Sequence, residues 1–357
     1  MVRVLLYLSA WFAVIPFATG CRARISDRPV GEPVTIQHPL GLPPVAIPAN
    51  NPPTAATIAL GRVLFYDSRV SLDGTIACSS CHDPRRYFTD HTAVSIGVGG
   101  LKGTRNAPTV LNAAYLPFQF WDGRAISLEQ QAGSPIINPV EMRQKDGVAV
   151  VSKLKADSRY HTMFQNAFGS PDITMGRVEN SLASFERTLL SGDAPFDRYE
   201  YSGDKAALTE SQIRGLAVFL DPQRGNCAVC HTINKEFALF TDGQFHNTGE
   251  GVGDSGEFGD VGRYHETKVT TDLGAFLTPS LRNVANTAPY MHDGHLKSLK
   301  EVVDFYAGQG NSNPYLDPEM KKIHLTGRER EDLVAFLQSL TGTIPPDAGP
   351  PRETSFR

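Results

Sequence analysis

Apolar residues recur at helical spacing in several stretches of the chain. Val178, Leu182, Phe185 and Leu189 share one stripe, as do Ile213, Leu216, Ala217 and Leu220. Helix-start signals stand at three places. Thr209 with Gln212, Ser298 with Glu301, and Thr326 with Glu329 each have the spacing of a capping box. The last predicts a helix that buries Leu333, Phe336, Leu337 and Leu340. Alternating strand patterns are sparse, so the chain reads as mainly α. One apolar run has no periodicity. Residues 4–18 follow Arg3 and are broken only at Pro16. The run is short for a membrane span and reads as an export signal covering residues 1–20.

Ala18-Thr19-Gly20-Cys21 resembles a bacterial lipobox, although Ala18 stands where Leu is commoner. Lipid on Cys21, followed by a flexible Pro-rich tether over 21–53, would hold a soluble body at a membrane. Plain secretion with a free Cys21 thiol is the alternative. The 357 residues suit two domains, and 41% hydrophobic with 20% charged residues excludes wholesale disorder. Lys and Arg number 34 against 38 Asp and Glu, with no basic run, which argues against a nucleic-acid partner. Five cysteines are too few for a disulfide scaffold.

Four of those cysteines fall in a degenerate internal repeat. Gly61 to Asp67 and Gly215 to Asp221 both read Gly-x-x-x-Phe-x-Asp, and each leads into Cys-x-x-Cys-His. The two motifs are Cys78-Ser79-Ser80-Cys81-His82 and Cys227-Ala228-Val229-Cys230-His231. This spacing is the attachment signature of c-type haem. Two thiols form thioethers to the vinyl groups and the His lies under the iron. A shared zinc would leave each adjacent His unexplained, and a thioredoxin-type disulfide would need a βαβ context that is missing. Two covalent haems also agree with export. The repeat predicts an N-terminal module over 54–203, a C-terminal module over 204–344 and a loose tail over 345–357. The Gly- and acid-rich stretch 249–260 reads as solvated and mobile, with no assigned role.

Beyond the haem motifs, several stretches resemble the bacterial di-haem cytochrome c peroxidases and the related MauG proteins. They are Arg105-Asn106-Ala107-Pro108-Thr109, Phe120-Trp121-Asp122-Gly123-Arg124, Asn138-Pro139-Val140-Glu141-Met142, Ser280-Leu281-Arg282-Asn283-Val284 and Ala288-Pro289-Tyr290-Met291-His292. The resemblance runs from about residue 59 to 342. It implies a mainly α fold with little β: two cytochrome c-like haem domains packed around an inter-haem interface. It implies that the haem on His82 meets hydrogen peroxide and that the haem on His231 stores electrons. Glu141 then matches the distal acid/base and Gln131 the distal amide. Trp121 matches the aromatic residue between the haems. Asn106, Thr287 and Pro289 match an inter-haem calcium site, whose oxygen ligands suit that ion. His292 matches a residue beside the second haem. Without the resemblance, Glu141 would read as a solvated loop carboxylate, Trp121 as core and Tyr306 as core. Family members often form homodimers.

Two departures from the family pattern change the expected chemistry. Conventional members place a distal His on the loop before Arg105, but the loop reads Ser95-Ile96-Gly97-Val98-Gly99-Gly100, with Val98 in that position. Valine cannot ligate iron, so the resemblance implies an open site that needs no reductive activation. His91 is the nearest His and reads as surface. Conventional members also supply Met as sixth ligand to the second haem, fourteen residues after the position of His292. Here that residue is Tyr306, as in MauG-like members, with Met320 and Met291 as alternatives. A Met ligand raises the potential. A phenolate favours ferric and higher states. The expected function is an exported, periplasmic peroxidase that uses hydrogen peroxide to form high-valent haem. It would then oxidise a protein or organic donor in MauG-like fashion. A conventional peroxidase fed by a small cytochrome c or cupredoxin is the alternative, and a pure electron-transfer cytochrome is a third reading.

Overall fold

A computed structural model describes residues 26–253 and 255–351. The export signal and Cys21 lie outside the described residues. Eight helices carry the fold: α1 (Ala55–Tyr66), α2 (Leu128–Ile137), α3 (Gly147–Lys155), α4 (Ser158–Phe168), α5 (Met175–Glu186), α6 (Glu210–Leu220), α7 (Leu299–Ala307) and α8 (Gly327–Gln338). Shorter turns of helix hold the Cys-x-x-Cys segments. One antiparallel ladder joins Phe245–His246 to Phe276–Leu277. Thr209, Ser298 and Thr326 each cap a helix, with their hydroxyls accepting the third backbone N–H. Among the described residues no helix is long and apolar enough to cross a membrane.

The repeat seen in the sequence is a packing rule. α1 crosses α5 at Gly61, where a Cβ would come within 1.8 Å of the Ser181 carbonyl oxygen. α6 crosses α8 at Gly215 in the same way, 1.9 Å from the Asp332 oxygen. One turn later Phe65 meets Phe185 edge-on at 5.4 Å, and Phe219 meets Phe336 at 5.1 Å. Asp67 and Asp221 close their helices and accept the N–H groups of Arg69 and Gln223. Gly, Phe and Asp are therefore fixed by helix approach, core filling and capping respectively. Each module has its own core. Leu60, Phe65, Phe164, Val178 and Phe185 centre the first, and Phe196, Phe219, Phe240, Leu333 and Phe336 the second. Leu189 and Leu340 lie just past their helices yet remain buried.

The repeat also extends beyond the part legible at first. Pro108-Thr109 and Pro279-Ser280 precede Asn112 and Asn283, which both take positive φ. Trp121-Asp122-Gly123 and His292-Asp293-Gly294 sit in matching hairpins, closed by the Gln119–Ala125 and Tyr290–Leu296 bridges. Ser127 and Ser298 then cap α2 and α7. α2 and α7 are thus equivalent elements at matching edges of the two modules.

Three expectations are corrected. The described part of the proposed tether, 26–53, is ordered along the body. Val30 N–H donates to Ala167 O, Asn51 is fully buried against Glu129, and Gly41 O receives Arg282. Its prolines rigidify a fitted strap where flexibility had been inferred. The described part of the tail, up to Pro351, also packs. Ala348 is buried, and its carbonyl accepts from Tyr66 while Gly349 O accepts from Arg62. The stretch 249–260 is not merely solvated: Glu250 and Val252 are buried, and Asp260 takes a bidentate pair from Arg105.

A buried ion pair ties strap, linker and C-terminal module together. Arg282 donates to both Asp197 oxygens at 2.8 and 2.9 Å, to Ala238 O and to Gly41 O. Both side chains are almost completely buried. Removing one partner strands the other charge. Arg282→Ala is therefore expected to lower stability by about 3–5 kcal/mol, read from denaturant unfolding of the holoprotein. A loss below 1 kcal/mol would show that water reaches Asp197.

Candidate functional site

Two cavities open on either side of the module boundary. The N-terminal one, about 480 Å³, is lined by Cys78, Cys81, His82, Arg105, Trp121, Gln131, Pro135, Glu141 and Glu186. The C-terminal one, about 280 Å³, is lined by Cys227, Cys230, His231, His246, Glu250, His292 and Tyr306. Trp121, Asn106 and Pro108 line both. Trp121 is held there by its indole N–H, which donates to Asn106 O at 3.0 Å.

The residues fit covalent haem. All four motif thiols are free of disulfides. His82 Nδ1 faces Phe88 O at 3.2 Å and His231 Nδ1 faces Phe240 O at 2.8 Å. A Nδ1–H donated to a carbonyl fixes the tautomer and leaves Nε2 free for iron, as metal-binding histidines require. Phe88 and Phe240 both adopt positive φ, which turns those carbonyls toward the imidazoles. Burial pushes the pKa of both histidines down, keeping them neutral for ligation.

One wall of the N-terminal cavity comes from α2 and the turn after it. Ser127 starts α2, which presents Gln131 and Pro135 to the cavity. Gln131 makes no side-chain hydrogen bond to any described residue. The turn then brings in Glu141, whose Oε1 accepts from Asn138 Nδ2 at 2.7 Å. Burial raises the Glu141 pKa, and the Arg124 guanidinium opposes the shift. Val98 is buried but does not line the cavity. Its backbone N–H donates to Glu141 O at 2.8 Å, while Gly97 forms the wall. A Cβ at Gly97 would strike Val140 O at 2.2 Å, so the loop lies flat against the Glu141 turn. Besides His82, the only described histidine on this cavity is His265, which is exposed at the rim and paired with Glu266.

The C-terminal cavity brings His231 together with the three candidate ligands named from the sequence. Tyr306 on α7, Met320 and Met291 all line it. The Tyr306 hydroxyl makes no hydrogen bond to a described residue, and burial drives its pKa well up. His292 is buried and stacked on Phe276, with ring centroids 3.8 Å apart. Burial lowers its pKa. Asn106, Thr287 and Pro289 all line this cavity, as does Trp121. Asn106 Nδ2 donates to Thr92 O and Ala93 O, which leaves Oδ1 open. The Thr287 and Pro289 carbonyls accept no hydrogen bond from described residues.

Sequence reasoning missed three features of the site. The first is Pro135. It stands fourteen residues after Trp121, as Tyr306 stands fourteen after His292, so the repeat places proline where the other module has tyrosine. The signal was the hairpin-plus-Ser pattern, weakened by unlike residues at most positions. The second is the carboxyl of Glu186 on α5. The third is His246, held between Asp317 at 2.6 Å and Asp242 at 2.8 Å.

Two haem-attachment cavities in paired helical modules, with an aromatic residue shared between them, define a di-haem c-type cytochrome. Family comparison narrows the class. Residues 55–206 match the model described as di-haem cytochrome c peroxidase, and residues 212–341 match cytochrome c. The chain is 40% identical over 298 residues to the methylamine utilization protein MauG of Methylophilus methylotrophus, covering 84% of this chain and 86% of that one. It is 33% identical over 308 residues to cytochrome c551 peroxidase of Nitrosomonas europaea, covering 84% of each. A crystal structure of a MauG-like protein associated with microbial copper homeostasis superposes with a TM-score of 0.76 at 34% identity, over 85% of this chain and 94% of that one. The chain belongs to the di-haem cytochrome c peroxidase and MauG family, a family of oxidoreductases.

Proposed function

We propose that this protein is a MauG-like peroxidase, in which peroxide reacts at the N-terminal cavity and the oxidising equivalents are spent on an external protein or organic donor. One observation carries the reading: neither Pro135 nor the Gly97–Val98 loop offers a ligand to the distal face above His82. When bound, the two haems supply the irons that exchange electrons with peroxide and donor. The chain's own residues do the rest. Glu141 takes the proton of incoming peroxide and returns it to the departing oxygen. Asn138 fixes the Glu141 carboxylate, and the Gln131 amide orients the peroxide. Trp121 bridges the two cavities as the electron path. Tyr306 and His231 would hold the iron of the second haem, and His292 would tune that site. Asn106, Thr287 and Pro289 supply three oxygens for a calcium ion, with water completing its shell. Export by residues 1–20 and lipid on Cys21 would place the enzyme in the periplasm, at the membrane.

A second reading has its own support. Met320 and Met291 also line the C-terminal cavity. A Met ligand there would favour electrons from a small cytochrome c or cupredoxin. The test is a rapid-mixing optical spectrum of the fully ferric holoprotein after one equivalent of hydrogen peroxide. An immediate change that persists for seconds without donor is expected. No change until one haem is reduced would mean that a residue blocks the distal face, and would favour the conventional enzyme.

A further inference from the structure

Glu186, near the C-terminal end of α5, is 5% exposed, and its carboxyl lines the N-terminal cavity. No described residue donates a hydrogen bond to it. The adjacent Arg187 is turned away, with its guanidinium on Glu129 at 2.7 and 3.1 Å. Glu129 is itself an anion and also accepts from Asn51. On α1, Arg62 reaches Gly349 O and Tyr66 reaches Ala348 O. On α3, Lys153 is spent on the carbonyls of Ser71 and Leu72. The cavity's other acids, Asp122, Glu141 and Glu266, are neutral or negative, and its guanidinium groups, Arg105 and Arg124, are paired with Asp122. Cys78 faces Glu186 closely enough to feel its charge, and becomes an uncharged thioether once haem is attached. The cation that bears on Glu186 is Arg187, whose charge lowers the pKa by less than burial raises it. Burial beside these groups pushes its pKa up to about 8.

We propose that Glu186 is the proton-holding residue coupled to the electron state of the N-terminal haem. The proposal rests on the family reading only for the presence of that haem. When the iron is ferrous, Glu186 keeps its proton. With one electron lost from the haem to an oxidant, the Glu186 O–H bond would break and its proton would leave to solvent. The carboxylate then offsets the positive charge gained by the iron, so the net charge of the site is unchanged. Such compensation is large in a water-poor cavity and small in water. Glu186 is thus a positioning residue for charge, distinct from the peroxide chemistry assigned to Glu141.

The test is a spectroelectrochemical titration of the N-terminal haem in the holoprotein from pH 6 to 10, with redox mediators as electron acceptors. In the wild type the oxidised-to-reduced ratio at fixed potential should change tenfold per pH unit over part of this range, equivalent to about 59 mV per unit for a one-electron couple. Glu186→Gln should abolish the slope, whereas Glu141→Gln should keep it. A flat wild-type profile, or an unchanged slope in Glu186→Gln, overturns the proposal. Should Glu186→Gln fail to take up haem, Glu186→Asp decides instead. A displaced pH window supports the assignment, and an identical window overturns it. These outcomes do not depend on whether peroxide reacts with the ferric protein, so failure of the peroxide reading would appear in rapid mixing and not here.

Discussion

Glu141→Gln is expected to slow the reaction of the ferric holoprotein with hydrogen peroxide by about 10²–10⁴-fold, the range that a positioned acid/base contributes. Glutamine preserves the shape of the side chain and a hydrogen bond with Asn138, but it cannot take a proton. The measurement is the second-order rate constant from stopped-flow absorbance, with haem content and unfolding midpoint as controls. The pH dependence follows from the sign of the shift. Burial raises the Glu141 pKa, so the active carboxylate is depleted on the acid side. The rate should rise with pH through that pKa and then level off. Glu141→Gln should lose the rising limb entirely. An undiminished rate in the variant would move the proton chemistry to another group and leave Glu141 as a wall residue.

The legibility of this chain in its sequence was uneven, for physical reasons. The haem-attachment cysteines and histidines were readable because covalent chemistry demands a fixed local spacing. The Gly-x-x-x-Phe-x-Asp repeat was visible because helix crossing, core filling and capping each tolerate few residue types. Its continuation through Trp121 and His292 to Pro135 and Tyr306 was hidden. There only backbone shape is shared, while the side chains diverge with their separate tasks. Arg282 stood out within a family stretch, yet its partner Asp197 and its contact with Gly41 are 85 and 241 residues away. Local patterns carry no information about such closures. For the same reason the Pro-rich strap looked flexible: its ordering depends on the Arg282, Glu129 and Ala167 contacts. Glu186 carries no local signature beside the apolar stripe of Val178, Leu182, Phe185 and Leu189, and only the packing of α1, α2 and the Cys78 turn shows that its face is enclosed.

Tyr306→Phe is expected to raise the midpoint potential of the C-terminal haem by on the order of 0.2 V, within the roughly 0.8 V that axial ligands span across haem proteins. The effect originates in the hydroxyl. It is buried in the cavity beside Cys227 and Cys230 and has no hydrogen-bond partner among the described residues. Burial favours the neutral phenol, so only a strong cation such as ferric iron can draw off its proton. The resulting anion stabilises ferric over ferrous iron. Phenylalanine preserves the ring, its edge contact with Phe305 and the packing of α7, and deletes only the oxygen. Met320→Leu serves as the control, because it removes the competing thioether and should leave the potential unchanged. The reverse pattern, a shift in Met320→Leu and none in Tyr306→Phe, would assign the ligand to sulfur. The C-terminal haem would then accept electrons from a high-potential donor, and the conventional peroxidase would be the better account. Pro135 sharpens the contrast. At equivalent positions of the repeat, one module presents a group that can bind iron and the other presents one that cannot. Under the proposed function, this single difference would separate the module that keeps electrons from the module that meets peroxide.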